Sequence, residues 1–200
     1  DHFTGSTPLH YLCNKPNASL KNIQLIAENC PSALRMKNRY WKTPLHCACE
    51  SGAPKEIVQY LITMYPQAIV EKDFSWEIPL HLACENNASV EVIKVLLENC
   101  PESLYKENRS KETPLMLAKN ELHNDKFAPL SGDDVLSLLK SLDSYHDIIH
   151  HQNKTSSTGE ENALLMPILR NFCEQAWLCG IFLVLDKYPS MMHQFGLDDK

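Results

Sequence analysis

Nine histidines and eight cysteines are the side chains of this 200-residue sequence best suited to chemistry near neutral pH. An imidazole can carry a proton or ligate a metal, and a thiolate is a nucleophile or a soft ligand. His10, His46 and His81 recur at intervals of 36 and 35 residues, and Cys13, Cys49 and Cys84 keep the same intervals. Read by themselves, the histidines look like a metal-binding or acid–base series. Their phase argues otherwise, because each stands three residues after Thr7, Thr43 or Ile78, and each of the three cysteines five residues after Pro8, Pro44 or Pro79. A residue repeated at one phase is a small buried packing residue before it is half of a bridge. His146, His150 and His151 cluster without the paired cysteine or carboxylate of a metal site, which reads as a solvated loop. Cys47 and Cys49 form a C-x-C at a helix start. The sequence contains no phosphate-cradling glycine loop, no ordered nucleophile and base, and no HExxH or CxxC spacing, so no enzyme is expected.

The elements that position these residues follow from one recurring phrase: Thr7-Pro8-Leu9-His10, Thr43-Pro44-Leu45-His46, Ile78-Pro79-Leu80-His81 and Thr113-Pro114-Leu115-Met116. The prolines lie 36, 35 and 35 residues apart, the signature of a stacked repeat array. Threonine can cap a helix, proline suits the first helical position because its missing N–H has no partner there, and leucine starts the apolar face. A second beat, Cys30-Pro31, Tyr65-Pro66 and Cys100-Pro101, follows each phrase proline after 22 or 23 residues and ends a second helix. The second helices are predicted at 20–28, 55–64 and 90–98, with apolar residues recurring at three- and four-residue spacing, as in Ile57, Val58, Leu61 and Ile62. The first helices have about two turns and must be held by tertiary stacking, which small residues at Ala48, Ala83 and Ala118 permit.

Thr-Pro-Leu-His-x-Ala followed by a second helix and a turn resembles the ankyrin repeat, over residues 1 to about 119. The resemblance implies an all-α solenoid of about five helix-turn-helix units, with an extended finger loop before each phrase, here 37–42, 72–77 and 106–112. It implies that Asn38, Asp73 and Asn108 take the family's usual aspartate position, and that the histidines hydrogen-bond locally and to the next unit as scaffold. It also implies that partners contact the fingers and the exposed residues of the first helices, which form a concave face. The expected binding residues are Arg39, Tyr40, Trp41, Lys42, Phe74, Ser75, Trp76, Glu77, Arg109 and Lys111 on the fingers, with Glu50 and Glu85 on the helices. Phe3, Thr4, Ser6, Ser110, Glu112, Ser51 and Asn86 share those positions. The sequence departs from the family where glycine, kept at Gly5, is replaced by Trp41, Trp76 and Lys111. Tryptophan there is expected to change the turn, since glycine supplies a positive φ. It also sets two tryptophans in register, 35 residues apart, among the residue types enriched at binding hot spots. The alternative, left open, is that these rings pack finger against finger.

After the fourth phrase the pattern loosens. Val135 stands eight residues late, which assigns an insertion to 124–131, with Ser131-Gly132-Asp133-Asp134 capping a helix around 135–142. Residues 146–161 have the composition of a flexible loop. Pro167 and Pro189 are 22 apart like the earlier pairs, so 162–200 is read as a degenerate fifth unit, with helices starting near Met166-Pro167 and running over about 176–187. The domain reading is therefore repeats 1–4 over 1–145, the loop, and the fifth unit, in a single elongated domain. Both ends fall at about the same phase, the expectation for a segment of a longer array.

Composition sets the remaining bounds. A net charge of −6 and a pI near 5.8 lack the basic footprint of a nucleic-acid binder. The longest apolar run, 177–185, is far short of the roughly 20 residues of a membrane span. Cysteines at packing positions imply a reducing compartment, cytosol or nucleus. Sequons at Asn17, Asn87, Asn108 and Asn153 point the other way, but Ser19 and Ser89 explain two of them as helix starts. The expected function is a non-enzymatic, monomeric scaffold that binds a protein partner, with no cofactor, metal, nucleic acid or membrane. The alternative is a regulatory or targeting array for an enzyme or channel outside these residues.

Overall fold

A computed structural model describes residues 4–121, 132–151 and 158–174, together with 177, 180–181 and 184–185. These residues contain helices and turns and no strand. They fall into two compact units, Asp1–Val135 and Leu136–Lys200.

In the first unit, short helices alternate with longer ones: α1 (Pro8–Cys13), α2 (Leu20–Asn29), α3 (Pro44–Glu50), α4 (Lys55–Met64), α5 (Pro79–Glu85), α6 (Val90–Asn99) and α7 (Pro114–Glu121). Each phrase proline opens a first helix as the sequence predicts. Thr7 and Thr43 are extended N-caps whose hydroxyls accept from the N–H groups of His10 and His46. The second-beat prolines do more than end helices, because each opens one five-residue 3-10 turn: Pro31–Arg35, Pro66–Val70 and Pro101–Tyr105. The reversal between α3 and α4 is a Schellman turn, with Gly52 at φ +68° and Ala53 N–H donating to Ala48 O at 2.9 Å. Asn87 takes the same place at φ +51°, with Ala88 N–H on Ala83 O at 2.9 Å, which gives that asparagine a backbone role.

Two layers result. The first helices stack in the order α1, α3, α5, α7, and α2, α4 and α6 stack behind them. Leu9, Leu45, Leu80, Ala48 and Ala83 are buried in the first layer, and Ile23, Ile57, Val58, Leu61, Ile93 and Leu96 in the second. Burial of each leucine, isoleucine or valine among these contributes about 1.5–3 kcal/mol, and this is what holds helices too short to persist alone.

The second unit departs from the sequence reading. Helix α8 (Gly132–His151) continues through the first part of the expected 146–161 loop, and α9 (Thr158–Glu174) begins before that loop should end. Pro167 lies inside α9 on an exposed position instead of opening a first helix, so the fifth hairpin does not start where the proline spacing puts it. Buried neighbours outweigh the missing N–H: Leu165, Ile168, Leu169 and Phe172 form one apolar stripe at i, i+3, i+4 and i+7. On α8 Leu138, Leu139, Leu142 and Tyr145 are buried, and Asn171 donates to the Ser137 hydroxyl. Trp177 is buried against Phe172, edge to face at 5.0 Å. The expected insertion at 124–131 and most of the helix expected at 176–187 lie outside the described residues, as does Phe3.

Candidate functional site

His10, His46 and His81 and the phased cysteines Cys13, Cys49 and Cys84 are scaffold. Nδ1 of His10, His46 and His81 accepts the N–H of Thr7, Thr43 and Ile78 at 3.2, 3.1 and 3.3 Å. Nδ1 therefore bears no proton, and Nε2–H donates across to the next finger, to the carbonyls of Lys42, Glu77 and Glu112 at 2.9, 3.1 and 3.2 Å. Ile78 has no hydroxyl, so only the imidazole half of that cap is made there. Burial depresses all three imidazole pKa values, His46 to about 4. Cys13, Cys49 and Cys84 are buried and unbonded, their thiols pushed up by burial, and Cys47 is likewise raised to about 12. Such thiols are poor nucleophiles.

Each imidazole bond ends on a finger, and each finger is shaped by one buried side chain. Oδ1 of Asn38 accepts the N–H groups of Tyr40 and Lys42 at 2.9 and 3.0 Å. Asp73 does the same for Ser75 and Glu77 at 2.8 and 3.0 Å, and Asn108 for Ser110 and Glu112, both at 2.9 Å. One main-chain bond joins each finger to the next: Arg39 N–H to Thr4 O at 2.9 Å, Phe74 N–H to Tyr40 O at 3.0 Å and Arg109 N–H to Ser75 O at 2.9 Å. For these finger bonds an amide and a carboxylate serve alike, because one oxygen accepts both; the Asn108 amide also donates to the Glu77 and Glu112 carboxylates at 3.3 Å.

The tryptophans do not change the turn. Gly5, Trp41, Trp76 and Lys111 adopt φ of +64°, +60°, +64° and +60°, and the last three share one hydrogen-bond pattern, their N–H groups donating to the carbonyls of Asn38, Asp73 and Asn108. Glycine is suited to its place twice over, since a Cβ on Gly5 would meet Arg39 Cγ at 3.1 Å. The other three hold a left-handed backbone that costs an L-residue roughly 1–2 kcal/mol. Packing does not conceal the rings, for Trp41 and Trp76 remain 57% and 51% exposed. Their described neighbours are cations: Lys37 lies 5.9 Å from the Trp41 ring, Lys72 5.1 Å from Trp76, and Arg109 5.6 Å from Trp76 and 4.6 Å from Phe74. Lys37 also pairs with Glu71 at 2.6 Å, which lowers the Glu71 carboxyl pKa.

Side chains alternate along the fingers with Phe74 as the exception, and this divides the expected binding residues. A groove of about 850 Å³ is lined by Thr4 and Ser6, by Tyr40 and Lys42, and by Phe74, Ser75 and Glu77, with Tyr11, Asp73, Cys47 and Glu50 behind them. The intervening Gly5, Trp41 and Trp76 do not line it. Of the residues predicted from sequence, the groove brings together Tyr40, Lys42, Glu50, Phe74, Ser75 and Glu77, and leaves out Arg39, Trp41, Trp76, Arg109, Lys111 and Glu85. It adds Tyr11 and Asp73, which the sequence reading did not place there. Tyr40 and Phe74 are 58% and 56% exposed at its rim.

The groove is acidic. Its lining carries Glu50, Asp73 and Glu77, and Lys42 is committed to Glu50 at 2.7 Å. Burial raises the Glu77 pKa, an Asn108 hydrogen bond opposes the shift, and the charges of Glu85 and Asp73 add to it.

Comparison with known families points to the same part of the chain. A family model described as ankyrin repeats (3 copies) matches residues 1–74, and one described as ankyrin repeat matches residues 77–106. No curated protein matches the chain.

Proposed function

We propose that this chain, a member of the ankyrin-repeat family by its two matches across residues 1–106, holds a protein partner in the groove between its first three fingers and first helices. Ankyrin repeats are generally protein–protein interaction modules. The observation that carries the finer reading is a preformed groove with two exposed aromatic rings, Tyr40 and Phe74, on backbone already fixed by hydrogen bonds to Asn38 and Asp73. Rings on a rigid backbone lose little entropy on binding, which is what makes aromatic residues effective anchors. Nothing in this reading requires catalysis, a cofactor or a metal. The unbonded cysteines at packing positions support a reducing compartment, cytosol or nucleus. No helix among the described residues is long and apolar enough to cross a membrane.

Site-specific photocrosslinking tests the placement. A photoreactive phenylalanine analogue replacing Tyr40 is expected to give covalent adducts with partner proteins in cell extract. The same analogue replacing Gln59, exposed on α4 in the second layer, is expected to give few. Equal yields at the two positions, or adducts only from position 59, would move binding off the groove.

A further inference from the structure

We propose that the groove takes an extended, basic peptide segment, whose arginine or lysine head lies among Glu50, Asp73 and Glu77 while its aliphatic stem rests on Tyr40 and Phe74. This rests on the groove being the binding face. Charge complementarity carries it. Three carboxylates line the groove, and the single lysine among the lining residues is already paired, at 2.7 Å, with one of them. Asp73 is 3% exposed, and its Oδ1 is spent on the finger's own N–H groups, so it contributes field more than contact. Glu77 is half-buried and crowded by the like charges of Glu85 and Asp73, with an amide from Asn108 at 3.3 Å as its described side-chain donor. Like charges gathered on a partly desolvated wall favour a counter-ion. An arginine suits such a wall best, since its guanidinium forks onto carboxylates and stacks on aromatic faces while its methylenes cover apolar surface. On the outer side of the fingers Lys37 and Lys72 lie over the tryptophan rings, and Arg109 lies between Trp76 and the outer face of Phe74, at 5.6 and 4.6 Å, so the stem meets Phe74 on its groove side and the three carboxylates set the charge of the groove itself.

Selection from a phage-displayed library of random dodecapeptides on the intact chain tests this. The enriched pool is expected to share an arginine or lysine at one fixed position, and synthetic versions to bind more weakly as salt rises. The double variant Glu50→Gln, Glu77→Gln, checked for an unchanged circular dichroism spectrum and melting temperature, is expected to lose about tenfold in affinity, the scale of charge-assisted hydrogen bonds. A pool that is acidic or neutral, or no enrichment, overturns the proposal. Peptides that lose binding to Tyr40→Ala, Phe74→Ala but not to the glutamine variant leave the groove reading standing and refute the basic occupant. Peptides indifferent to both variants refute both. A groove filled by a second copy would appear as a dimer on sedimentation that Tyr40→Ala, Phe74→Ala dissociates, and would equally overturn the proposal.

Discussion

Lowering the pH from 7 to 4 is expected to destabilise the first unit through its three buried imidazoles. In the fold Nδ1 of His46 faces the Thr43 N–H at 3.1 Å and Nε2–H donates to Glu77 O at 3.1 Å, with no exposed surface on the residue. A second proton would have to enter on Nδ1, against an N–H, on a fully buried residue. The folded pKa is accordingly about 4 against 6.5 for the free side chain, with burial the largest cause. Because the folded value is the lower one, the unfolded chain takes up the proton first. The stability due to the neutral imidazole is thus complete above pH 6.5 and is lost as pH falls from 6.5 toward 4. That shift corresponds to about 3 kcal/mol at its limit, a sizeable part of a typical domain's stability. His10 and His81 shift in the same direction and act in the same sense. Glu71, held low by Lys37, adds an acid-side loss below its ordinary range, whereas the raised Glu77 works against the trend. Urea unfolding followed by far-ultraviolet circular dichroism at half-unit pH steps measures the slope. Each proton is worth about 1.4 kcal/mol per pH unit. His46→Gln retains a donor and an acceptor but cannot titrate, so it is expected to flatten the profile by up to one proton's slope between pH 6.5 and 4. Parallel profiles for the two proteins would refute the assignment of His46 as a neutral, finger-bonded group.

Two further outcomes follow from particular backbone positions. Trp41→Gly and Trp41→Ala both remove the indole and its contact with Lys37, so their difference isolates the backbone at φ +60°. The left-handed penalty of about 1–2 kcal/mol on alanine exceeds the unfolded-chain entropy of glycine, about 0.4–1 kcal/mol. The glycine variant should therefore be the more stable of the two in urea, and the reverse order would mean that the finger turn is not strained. In the second unit, a Cβ on Gly180 would overlap the six-membered ring of Trp177, a residue that is 2% exposed. Gly180→Ala is expected to cost about 1–3 kcal/mol by overpacking and to lower the melting temperature; an unchanged melt would show that Trp177 does not rest on Gly180.

What was legible in the sequence is what local chemistry decides. Pro8, Pro44, Pro79 and Pro114 begin helices because a ring without an N–H fits the first helical position, and the second helices begin at Leu20, Lys55 and Val90 as their apolar spacing requires. The 3-10 turns after Cys30, Tyr65 and Cys100 were missed because one five-residue turn carries no periodicity. The second unit misled for a different reason. The polar stretch around His146 to His151 has loop composition, yet it continues a helix fixed upstream by buried Leu138, Leu139, Leu142 and Tyr145. Pro167, read as a phase marker, is overridden by the stripe on either side of it. In the site, the finger residues were found but not sorted. A partial signal was present, since Thr4 and Ser6, Tyr40 and Lys42, and Ser75 and Glu77 are each two apart, and period-two alternation sends Gly5, Trp41 and Trp76 elsewhere; Phe74, out of that phase, carried no such signal.

That sorting bears on why tryptophan is tolerated where glycine fits best. Each described finger from the second to the fourth is over-determined: two bonds to one Asn or Asp oxygen, one bond from the previous imidazole, and one from finger to finger. Such a set can hold a residue at φ near +60° whose own preference is against it. The strain is met by scaffold groups that are buried, Asn38, Asp73 and Asn108 with His10, His46 and His81, while the residues between them remain exposed. Composition at Tyr40, Trp41, Phe74 and Trp76 is therefore free to vary without dismantling the fold, and a position that bears a backbone penalty at more than half exposure gains little from burial in return. The physical separation is between side chains that set the finger's path and side chains that the path displays. Because the displayed set alternates, a single finger presents an acidic, aromatic groove on one side and a cation-covered indole at its tip, and a substitution one residue along the chain changes which of the two a partner meets.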